Sequence, residues 1–245
     1  MKNIFFLLTG FVAINTFAQT PSGDEILKKI DDNLVADNKI VTSRMVIHGR
    51  RGSRTIEAQS WLRGTKESFT EYLSPPREKG VKMLKTGDRL WTYSPSTDRT
   101  IMISGHMLRQ SVMGSDLSYE DMMEDPRLPN IYTAEVAGEE EFGGRSCWIL
   151  DLTAKNERVA YHSRKVWVDK ERYVMLKENR YAKSGKLLKT TEVREVVWMD
   201  ERWVAKSAVF KDVLKQGKGT EFILDSIEFN VEVPAHIFSK AALRR

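Results

Sequence analysis

Few side chains in this sequence stand at spacings that support chemistry. His48, His106, His162 and His236 lie far apart, with no His-x-His or His-Glu-x-x-His pattern to bring two imidazoles to one metal ion. No Gly-x-Ser-x-Gly elbow and no glycine-rich phosphate loop occurs. Cys147, the only cysteine, stands beside Trp148 in an apolar run, a setting that suits a core thiol better than a nucleophile. Glu139-Glu140-Glu141 precedes the Gly143-Gly144 turn and reads as a solvated acidic run. Asp116, Glu120, Asp121, Glu124 and Asp125 could supply the carboxylate pair of a glycosidase, although the preference for acids at a helix start accounts for the first three. These residues point away from an enzyme, and no metal or cofactor is expected.

The ends of the chain say more. Lys2 is followed by an apolar run from Ile4 to Phe17, and Thr16 and Ala18 are small residues at the −3 and −1 positions before Gln19. That is the layout of a secretory signal peptide over 1–18, too short and wrongly flanked for a membrane span. No cysteine sits at the cleavage point to carry a lipid anchor, so a soluble, exported, periplasmic protein is expected from 19–245, as a single domain. With one cysteine it gains no internal disulfide and must rely on its core. The formal charge of +5 for the full chain is basic, but Lys and Arg are scattered. Such a surface is either simply solvated or suited to anionic head groups or an acidic partner, and no nucleic-acid partner is expected.

Ser22-Gly23-Asp24-Glu25 reads as a capping box, and Ile26, Ile30 and Leu34 then recur every four residues, predicting an amphipathic helix over 23–36. After it the period changes to two. Ile56, Ala58 and Leu62 alternate with Glu57, Gln59 and Arg63, and turn signals such as Arg51-Gly52, Ser94-Pro95-Ser96 and Lys183-Ser184-Gly185-Lys186 follow at regular intervals. The expectation is a mainly β (α+β) domain, an antiparallel meander of about ten or eleven strands between Val41 and Val231 that closes toward a barrel or deep half-barrel.

One stretch breaks this rhythm. From Met102 to Met123 lie five of the ten methionines, and Ser118-Tyr119-Glu120-Asp121 can cap a short helix that ends at Asp125-Pro126. Several strands also carry large apolar groups on both faces. Leu90 opposes Trp91 and Tyr93, Cys147 and Ile149 oppose Trp148 and Leu150, and Val166 and Val168 oppose Trp167. A sheet with one wet face alternates more cleanly. Either both faces pack a two-layer core, or one lines a cavity for which methionine supplies an adaptable surface.

In their order and spacing, these segments resemble the LolA-like outer-membrane lipoprotein-sorting proteins. The resemblance rests on Leu90-Trp91-Thr92-Tyr93-Ser94-Pro95, then on the run from Met113-Gly114-Ser115-Asp116 to Glu120-Asp121-Met122. Gly138 and Glu140 ahead of Gly143-Gly144, Cys147-Trp148-Ile149-Leu150, and Val166-Trp167-Val168-Asp169 running on to Tyr173 complete it. It implies an incomplete antiparallel β-barrel whose open side is closed by an N-terminal helix and a short lid helix, with an apolar interior for acyl chains. In the family's best-known periplasmic carrier an arginine near the start of the sheet helps to hold the lid shut, and Arg44 lies on the first predicted strand. The implied function is a periplasmic carrier of lipoprotein or lipid acyl chains toward the outer membrane. It would work as a monomer between an inner-membrane exporter and an outer-membrane acceptor. The alternative is a periplasmic sensor in which the same ligand alters affinity for a protein partner.

Candidate cavity and lid residues are Leu62, Phe69, Trp91, Tyr93, Met102, Met107, Met113, Leu117, Tyr119, Met122, Trp148 and Trp167, with Arg44 as the lid latch and Trp61 on the same wall as Phe69. Which face of the sheet is concave stays open.

Overall fold

The computed structural model describes residues 20–49 and 52–245, so the expected leader lies outside the described residues. The chain opens with α1 (Gly23–Leu34), where the Ser22 hydroxyl accepts the Glu25 N–H at 3.3 Å and the Glu25 carboxylate accepts the Ser22 N–H at 2.8 Å. The helix stops two residues short of the expected 36, because Val35 turns to extended backbone and Ala36 buries beside Val204, Leu224 and Phe229. Among the described residues no helix is long and apolar enough to cross a membrane.

Everything that follows builds one antiparallel sheet. Its first half is β1 (Asn38–Gly49), β2 (Gly52–Arg63), β3 (Glu67–Ser74), β4 (Lys82–Thr86), β5 (Arg89–Ser94) and β6 (Arg99–Ile103). Its second half is β7 (Tyr132–Phe142), β8 (Arg145–Ala154), β9 (Ser163–Asp169), β10 (Met175–Tyr181), β11 (Leu187–Met199), β12 (Arg202–Asp212) and β13 (Thr220–Phe229). Neighbours in sequence are neighbours in space except for β6 and β7, and β1 pairs with β13, giving the order β6-β5-β4-β3-β2-β1-β13-β12-β11-β10-β9-β8-β7. The edges of this curved, unclosed sheet are therefore β6 and β7. The segment joining them, residues 104–131, holds α2 (Tyr119–Met123) and α3 (Leu128–Ile131). The count is thirteen strands rather than ten or eleven. The turn between β2 and β3 at Gly64 and the one between β8 and β9 are absent from the turn signals read in the sequence, which leaves these strand pairs unseparated there.

Both faces of the sheet are covered. On the inner face, Met45, Ile56, Tyr72, Met83 and Leu90 pack under the joining segment, while Leu150, Leu152, Val166 and Val168 pack under α1 and α3. On the outer face, Phe69, Leu84 and Trp91 are capped by Phe238 and Leu243 of the C-terminal turns, and Cys147, Trp167 and Leu176 form a separate cluster. The strand residues that are apolar on both sides are therefore mostly core. An apolar cavity remains on the inner face beneath the joining segment.

Candidate functional site

The cavity lies between the first three strands and the joining segment. Alternate residues of β1 and β2 face it: Val41, Ser43 and Met45 from the one, Ile56, Ala58, Ser60 and Leu62 from the other. Thr70 and Tyr72 of β3 and Phe222 of β13 complete the sheet wall, and Val112, Leu117 and Met122 of the joining segment form the roof. Its volume is about 210 Å³, more than the ~150 Å³ of an apolar cavity that stays dry and admits benzene. Small side chains on β1 and β2 leave this space where larger ones would fill it. Three of the wall's four hydroxyls are partnered within the protein: Ser60 and Thr70 bond one another at 2.8 Å and the Tyr72 hydroxyl donates to the Met83 sulfur at 3.2 Å.

A second chamber, of about 340 Å³, adjoins it, and Leu62 and Met122 line both. This one is charged. Strand register places Arg164 of β9 opposite Arg180 of β10, and Arg180 opposite Lys189 of β11, a row of three cations across the inner face. Glu178 is set among them, bonded to Arg164 at 2.6 Å and to Arg180 at 2.7 Å. The remaining counter-charges come from the roof. Asp121 of α2 takes Lys189, Arg180 at 3.2 Å and the Tyr161 hydroxyl at 2.6 Å, and Glu124 takes Arg164. Burial alone would raise the Asp121 and Glu178 carboxyls, but the facing cations win and hold each at about 2.

The roof is tied down elsewhere too. Asp116 receives the Asp212 N–H and the Thr220 hydroxyl, both at 2.9 Å, and Lys215 reaches Ser111 at 2.5 Å and the Ser115 carbonyl at 2.7 Å. Arg54 bridges Glu78 at 3.0 Å and the Met113 carbonyl. The Ser118–Asp121 capping box expected for α2 forms in the same stretch, which connects local helix chemistry to the latch: Asp121 caps with one oxygen and is gripped through both.

Of the candidates read from the sequence, Leu62, Leu117 and Met122 line the cavity. Met107, Met113 and Tyr119 pack against the cluster beneath the roof without lining it. Trp61, Phe69, Trp91 and Tyr93 belong to the outer face, where Trp61, Phe69, Leu84, Trp91 and Met102 stand in one row at consecutive register across β2 to β6. Met102 ends that row, exposed on the edge strand. Trp148 is on the inner face but under α1, its ring 5.4 Å from Tyr173, and Trp167 is outside with its indole N–H on Glu140 at 3.0 Å. Arg44 also points outward, in a bidentate pair with Asp225 of β13, and does not reach the roof. Arginines and lysines that do reach it include Arg54, Lys85, Arg164, Arg180, Lys189 and Lys215. Sequence reading passed over them because charged residues on strands and turns ordinarily face water. Their one local signal was parity, since Arg164 shares a face with apolar Val166 and Val168.

The acidic cluster of the roof has an electrostatic setting opposite to that of a general acid, which needs a raised carboxyl pKa. Asp121 is held low, and the Asp116 oxygens are occupied by Asp212 and Thr220. Burial pushes the Cys147 thiol up to about 11, a setting for an inert thiol. Among the described residues no group of His, Cys, Asp and Glu side chains converges to hold a metal ion.

A family model described as "Uncharacterized protein" matches residues 64–245 of the chain. No curated protein matches. Solved structures share the fold over nearly all of both chains. A DUF1329 family protein from Desulfovibrio piger superposes with a TM-score of 0.82 at 23% identity, covering 90% of this chain and 97% of its own. A domain described as an outer membrane lipoprotein-sorting protein from Vibrio parahaemolyticus gives 0.79 at 24%, covering 91% and 98%. A LolA superfamily protein from Nitrosomonas europaea gives 0.76 at 21%, covering 91% and 100%.

Proposed function

The chain belongs to the family matched over residues 64–245 and has the LolA-like fold, and on that premise we propose that it is a periplasmic carrier of lipoprotein or lipid acyl chains. The supporting observation is an apolar cavity roofed by a segment that packs apolar side chains on the sheet and is latched to it by ion pairs and hydrogen bonds. Lifting the roof uncovers apolar side chains, Val112 and Leu117 on it and Met45, Ile56 and Tyr72 beneath it, and a chain-shaped ligand can take up those contacts. At about 210 Å³ the cavity with the roof down falls below the roughly 300–1,000 Å³ of most ligand sites, so a full acyl chain needs the roof to lift. Each methylene moved out of water contributes about 0.8 kcal/mol, enough over a dozen groups to offset the ordering of the chain. The ligand would come from an inner-membrane exporter and pass to an outer-membrane acceptor.

Native mass spectrometry of the protein recovered from periplasm tests this reading. The expected spectrum shows a polypeptide beginning near Gln19 that carries a lipid or an acylated peptide. Protein retained in the cytoplasm with Met1 intact, or recovered without any acyl ligand under conditions that preserve complexes, would overturn it.

A further inference from the structure

The charged chamber beside the cavity contains two lysines whose amines bond backbone carbonyls and, among the described residues, no carboxylate. Lys39 donates to the Leu34 carbonyl at 2.8 Å, and Lys85 reaches the carbonyls of Met122, Met123 and Glu124 at 3.4, 3.2 and 3.4 Å. Neither forms an ion pair among the described residues, although both line the chamber. The chamber's carboxylates, by contrast, are all engaged. Glu67 is held by Arg63 at 2.6 Å, and Asp121, Glu124 and Glu178 share Arg164, Arg180 and Lys189. Asp125 accepts the Arg127 N–H and the Asn130 amide, both at 2.9 Å.

Two further observations point the same way. Arg164 lines the chamber with a side chain only 2% exposed, and its Nε–H is buried without a hydrogen-bond partner. Burial holds both lysine amines below their usual value. Arg202 adds to this at Lys39, and the nearby Asp125 and Glu124 at Lys85 do not cancel it. Largely buried cations without an ion-pair partner, bordering an apolar cavity, make a site for an amphiphile with a negative end.

We propose that this chamber receives the anionic headgroup, a phosphate or carboxylate, of the amphiphile whose acyl chain fills the adjoining cavity, with Lys39 and Lys85 as its cationic contacts. The inference rests on the carrier reading, because the chain must lie in the cavity for its head to reach the chamber past Leu62 and Met122. In binding, the lysines exchange neutral carbonyl acceptors for a charged one, and such charge-assisted bonds are roughly twice as strong.

The experiment compares lysophosphatidic acid with the monoacylglycerol of the same chain, each displacing a fluorescent alkyl probe from the protein. The wild type is expected to take the phosphate-headed lipid about tenfold more tightly, and Lys85→Met to remove most of that preference. Lys85 also holds the roof, so Lys39→Met, which gives up one bond to Leu34, serves as the second variant and should likewise weaken the phosphate-headed lipid more than the neutral one. In the wild type, raising salt from about 0.05 to about 0.5 M should shrink the preference with no substitution at all. Equal binding of the two lipids by the wild type would overturn the headgroup assignment and leave the carrier standing. Binding of neither would overturn the carrier, and this inference with it. Millimolar inorganic phosphate should not displace the phosphate-headed lipid; if it does, the chamber is a phosphate site indifferent to acyl chains and the proposal fails.

Discussion

Leu62 on β2 and Trp91 on β5 face opposite sides of one sheet: Leu62 lines the inner cavity, and Trp91 lies in the outer row beneath Phe238 and Leu243. Lys240 sits over the Trp91 ring at 4.5 Å, closing that side. A charge at the two positions therefore has different consequences. Trp91 is 5% exposed and packs among Phe69, Leu84, Phe238 and Leu243, contacts that an aspartate cannot replace even with Lys240 nearby. Trp91→Asp should cost more than about 3 kcal/mol, or leave the protein unfolded. Leu62→Glu, half-buried beside the charged chamber, should fold. Thermal melts decide it, and a Trp91→Asp melt equal to that of the wild type would remove the outer-core assignment.

Asp121 is the roof's principal tie. Asp121→Asn leaves Lys189 and Arg180 with less counter-charge in a buried setting, a change expected to cost about 3 kcal/mol or to free the roof locally. Amide exchange over Ser111–Met123 should speed up relative to the strand around Trp148. The same tie sets an acid limit. Asp121 and Glu178 titrate at about 2 in the folded protein, against about 4 when unfolded. Their contribution is thus complete above about pH 5 and lost as pH falls through 4 toward 2. Roof protection in the wild type should decline in that window, and Asp121→Asn should flatten the decline. Protection independent of both pH and substitution would show that the ion pairs do not hold the roof.

Gly23 marks where α1 meets the sheet. A Cβ at this position would stand 2.4 Å from the Ala134 carbonyl oxygen of β7, and backbone cannot give way cheaply. Gly23→Ala should displace the helix and cost about 1–3 kcal/mol. Chemical denaturation checks this, and an unchanged midpoint would mean that α1 docks more loosely than described.

Asp31, on α1, behaves in the opposite sense to Asp121. Burial raises its carboxyl to about 6, with Asp125 and Asp32 adding to the shift and Arg127 opposing it. Since the folded value lies above the unfolded one, ionisation opposes folding, and stability is lost as pH rises from about 4 to about 6. Asp31→Asn should stabilise the protein by about 1–2 kcal/mol at pH 7.5, after allowance for its partial exposure, and by nothing at pH 4. Melting temperatures at the two pH values test it; a gain equal at both would point to a cause other than titration.

Local chemistry was legible in the sequence, and long-range pairing was not. Both capping boxes, Ser22 with Glu25 and Ser118 with Asp121, could be read because donor and acceptor are three residues apart. Most strands could be read from alternation. The side of the sheet that holds the cavity could not, because Leu90 and Trp91 are both buried on opposite faces and composition does not tell a packed face from a hollow one. The hollow arises from small residues, Ser43, Ala58 and Ser60, which carry no signal of their own. The latch was invisible for a related reason. Arg164, Arg180 and Lys189 become one row only through the registers of β9, β10 and β11, and their partners arrive from a segment about 40 to 70 residues earlier.

The cavity's role is tested most directly by titrating a fluorescent fatty-acid probe into wild type and into Leu62→Glu, with melts run alongside. A carrier with its chain between β1–β3 and the roof predicts saturable one-to-one binding by the wild type. It also predicts loss of at least tenfold in affinity in the folded Leu62→Glu protein, since the charge would sit against the acyl chain. A folded Leu62→Glu protein that binds the probe as tightly as the wild type would contradict the account.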